Sequence, residues 1–184
     1  MRTFIALDLP PPLIPPLQKL QHAFAPFGSL TFVRGSFHST LKFLGELSRE
    51  ELKQATAALA TISSPPFQIT LARLGVFPSE RLARVLWVGL AGPVLDLQHK
   101  VEEALLPWFP RDPTFQAHVT LARIRSLQDK DGFLDALHHL SVPSLGGTIS
   151  SFRLYTSCLS PEGPSYTPLK EYPLGGAPQG TLPR

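Results

Sequence analysis

The sequence predicts an α+β fold of two lobes related by a pseudo-two-fold axis, and three observations carry that prediction. Signals for strand, helix, strand pair, helix and strand run from Arg2 to Phe77, and the order begins again at Ala83. A short phrase recurs in matching places, His38-Ser39-Thr40-Leu41 and His118-Val119-Thr120-Leu121. The separations from Phe4 to His38 and from Leu86 to His118 differ by only two residues. One His-x-Thr-Leu is expected by chance in about one chain of this length in fifty, and two in roughly a few per ten thousand. A period this long is not that of a solenoid, which leaves two lobes facing each other as the natural packing.

Each element has a local reason. Arg2 to Leu9 reads as a strand whose apolar centre suits a position covered on both faces. From Leu13 to Phe24, Leu13, Ile14, Leu17, Leu20 and Phe24 keep helical spacing, with Gln18, Lys19 and Gln21 assigned to the polar side. Pro26 and Gly28 end that helix. Leu30 to Val33 and Phe37 to Leu44 are predicted strands flanking a Gly35-Ser36 turn. Ser48 is a good N-cap, with Glu50 and Glu51 in the first turn of a helix facing inward through Leu52, Ala55, Leu59 and Ile62. Phe67 to Phe77 alternates like a half-buried strand and stops at Pro78.

The second round predicts a strand over Ala83 to Leu90, a helix opened by Pro93 and a loop over Pro107 to Pro113. A strand over Phe115 to Ile124, a helix over Ser126 to Leu140 and a strand over Thr148 to Leu159 follow. Residues 1–172 are expected to form a single bilobal domain, with halves of about 1–80 and 81–172. A disordered tail is expected over 173–184, where glycine, proline and small polar residues dominate.

Composition narrows the class. A formal charge of +3 permits an anionic partner, but no block of five or six like charges occurs, which favours a local pocket over a long phosphate-tracking groove. Cys158 is the single cysteine, so no intramolecular disulfide is possible, and it is expected to pack in its strand. Asp8 and Pro10-Pro11-Pro12 interrupt the apolar start before a signal-peptide core or membrane span develops, so a cytoplasmic location is expected.

The repeated phrase carries the chemistry. Side chains at i and i+2 of a strand leave one face, so each phrase sets an imidazole beside a hydroxyl. Two imidazoles in one cleft can hold opposite protonation states near neutral pH, one as base and one as acid, which suits in-line displacement at phosphorus. Thr40 and Thr120 are then placed to hydrogen-bond the phosphoryl oxygens. A lone strand histidine is ordinarily structural, and the duplication reverses that reading. No histidine or carboxylate stands two residues from either one, so no metal-ligand pattern is present and no cofactor is expected. His138 and His139 suit a solvated surface, His22 and His99 fall on polar helix sides, and Trp87 reads as core.

The chain resembles the two-histidine phosphoesterase superfamily, and within it the RNA 2′,3′-cyclic phosphodiesterases, also called 2′-5′ RNA ligases. The resemblance rests on Arg2 to Ala6, His38 through Gly45, Phe77-Pro78, Val85 to Gly89, His118 through Arg123, and Tyr166-x-x-Leu169. It implies a bilobal fold with an antiparallel sheet and outer helices in each lobe and a metal-independent site in the cleft between. It implies hydrolysis of RNA 2′,3′-cyclic phosphate ends to a 2′-phosphate, with weak, reversible, ATP-independent 2′-5′ joining. It also implies that His38 donates a proton to the leaving O3′ and that His118 activates water, roles that the symmetric residues alone do not distinguish. The expected partner is thus an RNA end or nucleotide bearing a cyclic phosphate, with no membrane and no obligate protein partner.

Two departures from the family pattern are Ala117, where a proline is usual, and Ser39, where an apolar residue is usual. Strand alternation points Ser39 away from the cleft. Phe43 and Arg123 each stand five residues after a histidine, so pseudo-symmetry places them opposite each other as a stacking clamp for a base; Arg123 alternatively holds a phosphate, and Phe43 alternatively belongs to the core. Lys42 is expected to add positive charge near the phosphate, and Tyr166 to pack or to touch substrate. Two other readings stay open: turnover of a small nucleotide such as an ADP-ribose 1″,2″-cyclic phosphate, and a non-catalytic RNA-end or nucleotide-binding module.

Overall fold

The computed structural model describes residues 2–34, 37–160 and 163–175. Two antiparallel sheets and four helices share one hydrophobic core. The strands are β1 (Arg2–Asp8), β2 (Gly28–Phe32), β3 (His38–Glu46), β4 (Phe67–Phe77), β5 (Val85–Ala91), β6 (His118–Leu127), β7 (Gly146–Ile149), β8 (Ser151–Ser160) and β9 (Gly163–Pro173). The helices are α1 (Ile14–Phe24), α2 (Arg49–Leu59), α3 (Val94–Leu105) and α4 (Lys130–His139). Sheet one has the order β3-β1-β8-β9 and sheet two the order β2-β6-β5-β4-β7. None of the helices, among the described residues, is long and apolar enough to cross a membrane.

The two halves of the sequence are interleaved in space. Sheet one takes β1 and β3 from the first half of the sequence and β8 and β9 from the end, while sheet two takes β2 and β4 from the first half. The strands flanking Gly35-Ser36 therefore do not form a hairpin, because β3 pairs with β1 and β2 pairs with β6. The turn itself lies outside the described residues. Register matches Phe4 with Val85 rather than with Leu86, since Phe4 opposes Phe43 as Val85 opposes Arg123.

Several boundaries move for identifiable reasons. The stretch read as one strand over Thr148 to Leu159 is two, β7 in sheet two and β8 in sheet one, with Ser150 between them. Strand β9 was hidden by Pro164, Pro168 and Pro173, residues that an edge strand tolerates. Pro173 closes β9, and Leu174 is buried with its N–H donating to Ser150 O, so order extends past the expected start of the tail; residues 176–184 lie outside the described region. Helix α4 starts at Lys130 with Asp129 as its N-cap, because β6 runs through Ser126.

Local chemistry elsewhere agrees with the sequence. Ser48 and Glu51 form a reciprocal capping box, and those hydrogen bonds hold the Glu51 carboxyl below its ordinary range. Strand β1 is central in its sheet and buried from Phe4 to Leu7. Gln21 is buried rather than solvated: its amide donates to Val33 O at 3.0 Å and to Leu121 O at 2.8 Å, tying α1 to the strand that carries the second histidine. Cys158 is exposed rather than packed. His138 and His139 are exposed, against Glu80 and Asp135 respectively.

Candidate active site

Strands β3 and β6, one from each sheet, pack in contact with each other, and each carries a histidine phrase at its start. Both strands show the same sequence of exposure. His38 and Thr40 are half-buried on the open face, Ser39, Leu41, Lys42 and Leu44 point inward, and Phe43 points out; from His118 through Ile124 the order is identical. The cause is a bulge at the same place in each. Ile5 opposes Lys42 but Ala6 opposes Thr40, and Leu86 opposes Ala122 but Trp87 opposes Thr120, so Leu41 and Leu121 are each the extra residue.

That extra residue reverses the alternation and corrects one expectation. Simple period-two counting from His38 sends Lys42 outward and Phe43 into the core; the bulge does the opposite. Lys42 is 2% exposed, and its Nζ donates to Glu102 Oε2 at 2.8 Å and to Pro110 O at 2.8 Å. It is an internal tie between β3, α3 and the loop leading to His118, not a residue at the phosphate. Phe43 is 70% exposed, and Arg123 is exposed at the equivalent place on β6.

His38 lies in an aromatic setting. Its ring centroid is 5.3 Å from Phe4, 6.5 Å from Tyr155 and 5.0 Å from Tyr166, whose edge it meets. Across the β1–β3 pair His38 faces Asp8. Asp8 accepts from Tyr155 Oη at 2.6 Å and from Arg153, which also donates to Glu171 at 3.1 Å. Burial first, and then the bond to Asp8, push the Tyr155 phenol up to about 12, so it remains a donor through neutral pH.

His118 is built differently. Its ring meets the edge of Phe77 at 4.9 Å and Trp87 at 6.0 Å, and its Nδ1 lies 2.6 Å from Gln116 O. A carbonyl can only accept, so Nδ1–H is the donor, and in the neutral ring Nε2 carries the lone pair. Burial lowers the His118 pKa below its ordinary 6.5, with the bond to Gln116 opposing in part. Trp87 is buried as expected of core, yet it forms the floor under His118, with Arg73 5.6 Å from its ring. Gly75 makes this possible, because a Cβ there would sit 2.2 Å from the Trp87 ring. Gly89 faces His118 where Asp8 faces His38.

A family model described as LigT like phosphoesterase matches residues 7–87. An RNA 2′,3′-cyclic phosphodiesterase of Aeropyrum pernix is 35% identical over 142 residues, covering 74% of this chain and 81% of that one. The protein of the same name from Archaeoglobus fulgidus is 30% identical and covers 94% of this chain and 99% of its own. The chain belongs to the LigT-like phosphoesterases. The likeness holds in three dimensions: the crystal structure of TT0787 of Thermus thermophilus has a TM-score of 0.81 at 29% identity, covering 96% of this chain and 99% of that one.

Within this LigT-like phosphoesterase, the departure at Ser39 points inward, fully buried, with a hydroxyl that has no hydrogen-bond partner among the described residues. Ala117, the other departure, is half-buried, and its carbonyl accepts from Leu90 N at 3.0 Å. Phe4, Asp8, Arg153, Tyr155, Phe77 and Gln116 lie around the histidines, and none of them was given a role in the site from sequence. The missed signal was the pairing of β1 with β3, which places Phe4, Ala6 and Asp8 on the same face as His38 and Thr40.

Proposed function

We propose that the protein opens 2′,3′-cyclic phosphates at RNA ends, leaving a 2′-phosphate, with residues 1–172 acting as one catalytic unit. His118 Nε2 takes a proton from water, the water oxygen attacks phosphorus, the P–O3′ bond breaks, and His38 gives its proton to O3′. Thr40 and Thr120 hydroxyls donate to the two non-bridging oxygens. Phe43 and Arg123 hold the terminal base between an aromatic face and a guanidinium plane. Tyr166 supports the His38 ring by its edge contact.

The observation that carries this reading is the hydrogen bond from His118 Nδ1 to Gln116 O, which leaves Nε2 as the basic atom in a ring whose pKa is lowered. Asp8 stands opposite His38 across the strand pair and Gly89 opposite His118, so the two rings sit in chemically unequal settings. A cytoplasmic setting fits an RNA substrate.

The test is an oligoribonucleotide ending in a 2′,3′-cyclic phosphate, incubated with the protein in EDTA. Ring opening to a 2′-phosphate by the parent, and its loss in both His38→Ala and His118→Ala, are expected. Turnover unchanged in either variant overturns the assignment.

A further inference from the structure

The pseudo-symmetry of the site leaves open where the rest of an RNA strand goes, and the charges around the two sheets are unequal. At the far end of β6 from His118, Arg81, Arg84, Arg125 and Lys130 line one depression of about 210 Å³. All four are exposed, and among the described residues none is paired with a carboxylate. The one acid on its rim, Glu80, is engaged by His138 Nε2 at 3.0 Å. Asp129 nearby accepts from Gly132 N at 2.9 Å.

One wall of the depression, Arg125, shares a face with Arg123. Arg123 opposes Thr31, and cross-strand partners share a face; Arg125 Nε donates to Thr31 Oγ1 at 3.1 Å, so it lies on that face too. On sheet one the positions equivalent to Arg84, Arg123 and Arg125 are Thr3, Phe43 and Gly45, none of them charged. Sheet one carries two arginines, and the one beside His38, Arg153, is neutralised by Asp8 and Glu171, while Arg2 stands at the start of β1 and Lys170 on the outer strand β9.

We infer that the RNA body leaves the site over sheet two, its backbone phosphates passing from the base held at Arg123 to Arg125 and then entering the depression walled by Arg81, Arg84 and Lys130. This rests on the RNA-end reading above and deepens it to a polymer substrate. From Thr120 to Arg125 is five residues of strand, about 16 Å, beyond what one nucleotide with its phosphate at Thr120 can span. The recognition is through phosphate charge and is therefore indifferent to sequence.

The experiment compares the parent with the triple variant Arg84→Gln, Arg125→Gln, Lys130→Gln, all exposed positions, with far-UV circular dichroism to show that both are folded. Dissociation constants are measured by anisotropy for a 5′-labelled oligoribonucleotide of about eight nucleotides, an ordinary single-strand site size, ending in a 2′-phosphate. A labelled nucleoside 2′-phosphate serves as the one-nucleotide comparison. The oligonucleotide is expected to weaken at least about tenfold more than the mononucleotide, and the slope of its log affinity against log salt to fall by about 2. Equal weakening of both ligands, or of neither, overturns the track. A parent that binds in this length-dependent way but leaves cyclic ends unopened retains the track and sinks the catalytic reading instead.

Discussion

Strands β3 and β6 share a backbone course, a bulge, an order of exposure and their His, Thr and Leu, yet the other residues placed on that common frame differ. Inward, β3 carries Ser39 and Lys42 where β6 carries Val119 and Ala122; outward, it carries Phe43 where β6 carries Arg123. His38 faces a carboxylate across the strand pair, and His118 faces a glycine and is held through a carbonyl. On the proposed reading, these unequal neighbours suit His118 to accept a proton and His38 to give one.

The comparison breaks most severely at the imidazoles. Each of His38→Ala and His118→Ala is expected to lower kcat/KM by about 10²- to 10⁴-fold, the ordinary worth of a positioned acid or base, measured on a cyclic-phosphate oligonucleotide. A large loss in one and none in the other would mean that the two strands do not share the work.

Next comes the inward lysine. Lys42→Met strands Glu102, itself nearly inaccessible, without its cation, and is expected to cost about 3–5 kcal/mol in urea unfolding. The double variant Lys42→Met, Glu102→Gln should recover much of that. Were Lys42 a substrate contact, KM would rise instead while stability held.

Smaller effects sharpen the outward and inward differences. Phe43→Ala and Arg123→Ala should each weaken a nucleoside 2′-phosphate by about 1–3 kcal/mol, the range for base stacking, with little change in kcat. Ser39→Ala removes a buried hydroxyl without a partner among the described residues and should raise stability by about 1 kcal/mol.

Much of this was legible from residue order. The histidine phrases, the capping box at Ser48, the central β1 and the alternation of β4 all follow from local patterns, and they reappear where those patterns put them. What failed was whatever depended on pairing partners. Lys42 turned inward, while Phe43 points outward beside it, because a bulge is a property of two strands, and nothing in β3 alone announces it. Strand β9 was masked by its prolines, and Gln21 by the assumption that an amide on a helix seeks water. The basic depression was invisible for the same reason: Arg81, Arg84, Arg125 and Lys130 come from two separated stretches and form no charge run.

The unequal pair is tested most directly by the pH dependence of kcat/KM on a 2′,3′-cyclic nucleotide, for the parent and for His118→Ala. Burial lowers the His118 pKa, so the base stays neutral into mildly acidic solution. Activity should therefore rise through a midpoint below 6.5 and fall again at higher pH as His38 loses its proton, and the acidic limb should be absent from whatever activity His118→Ala retains. An acidic limb centred at or above 6.5, or one that persists in His118→Ala, would contradict the assignment of His118 as the base.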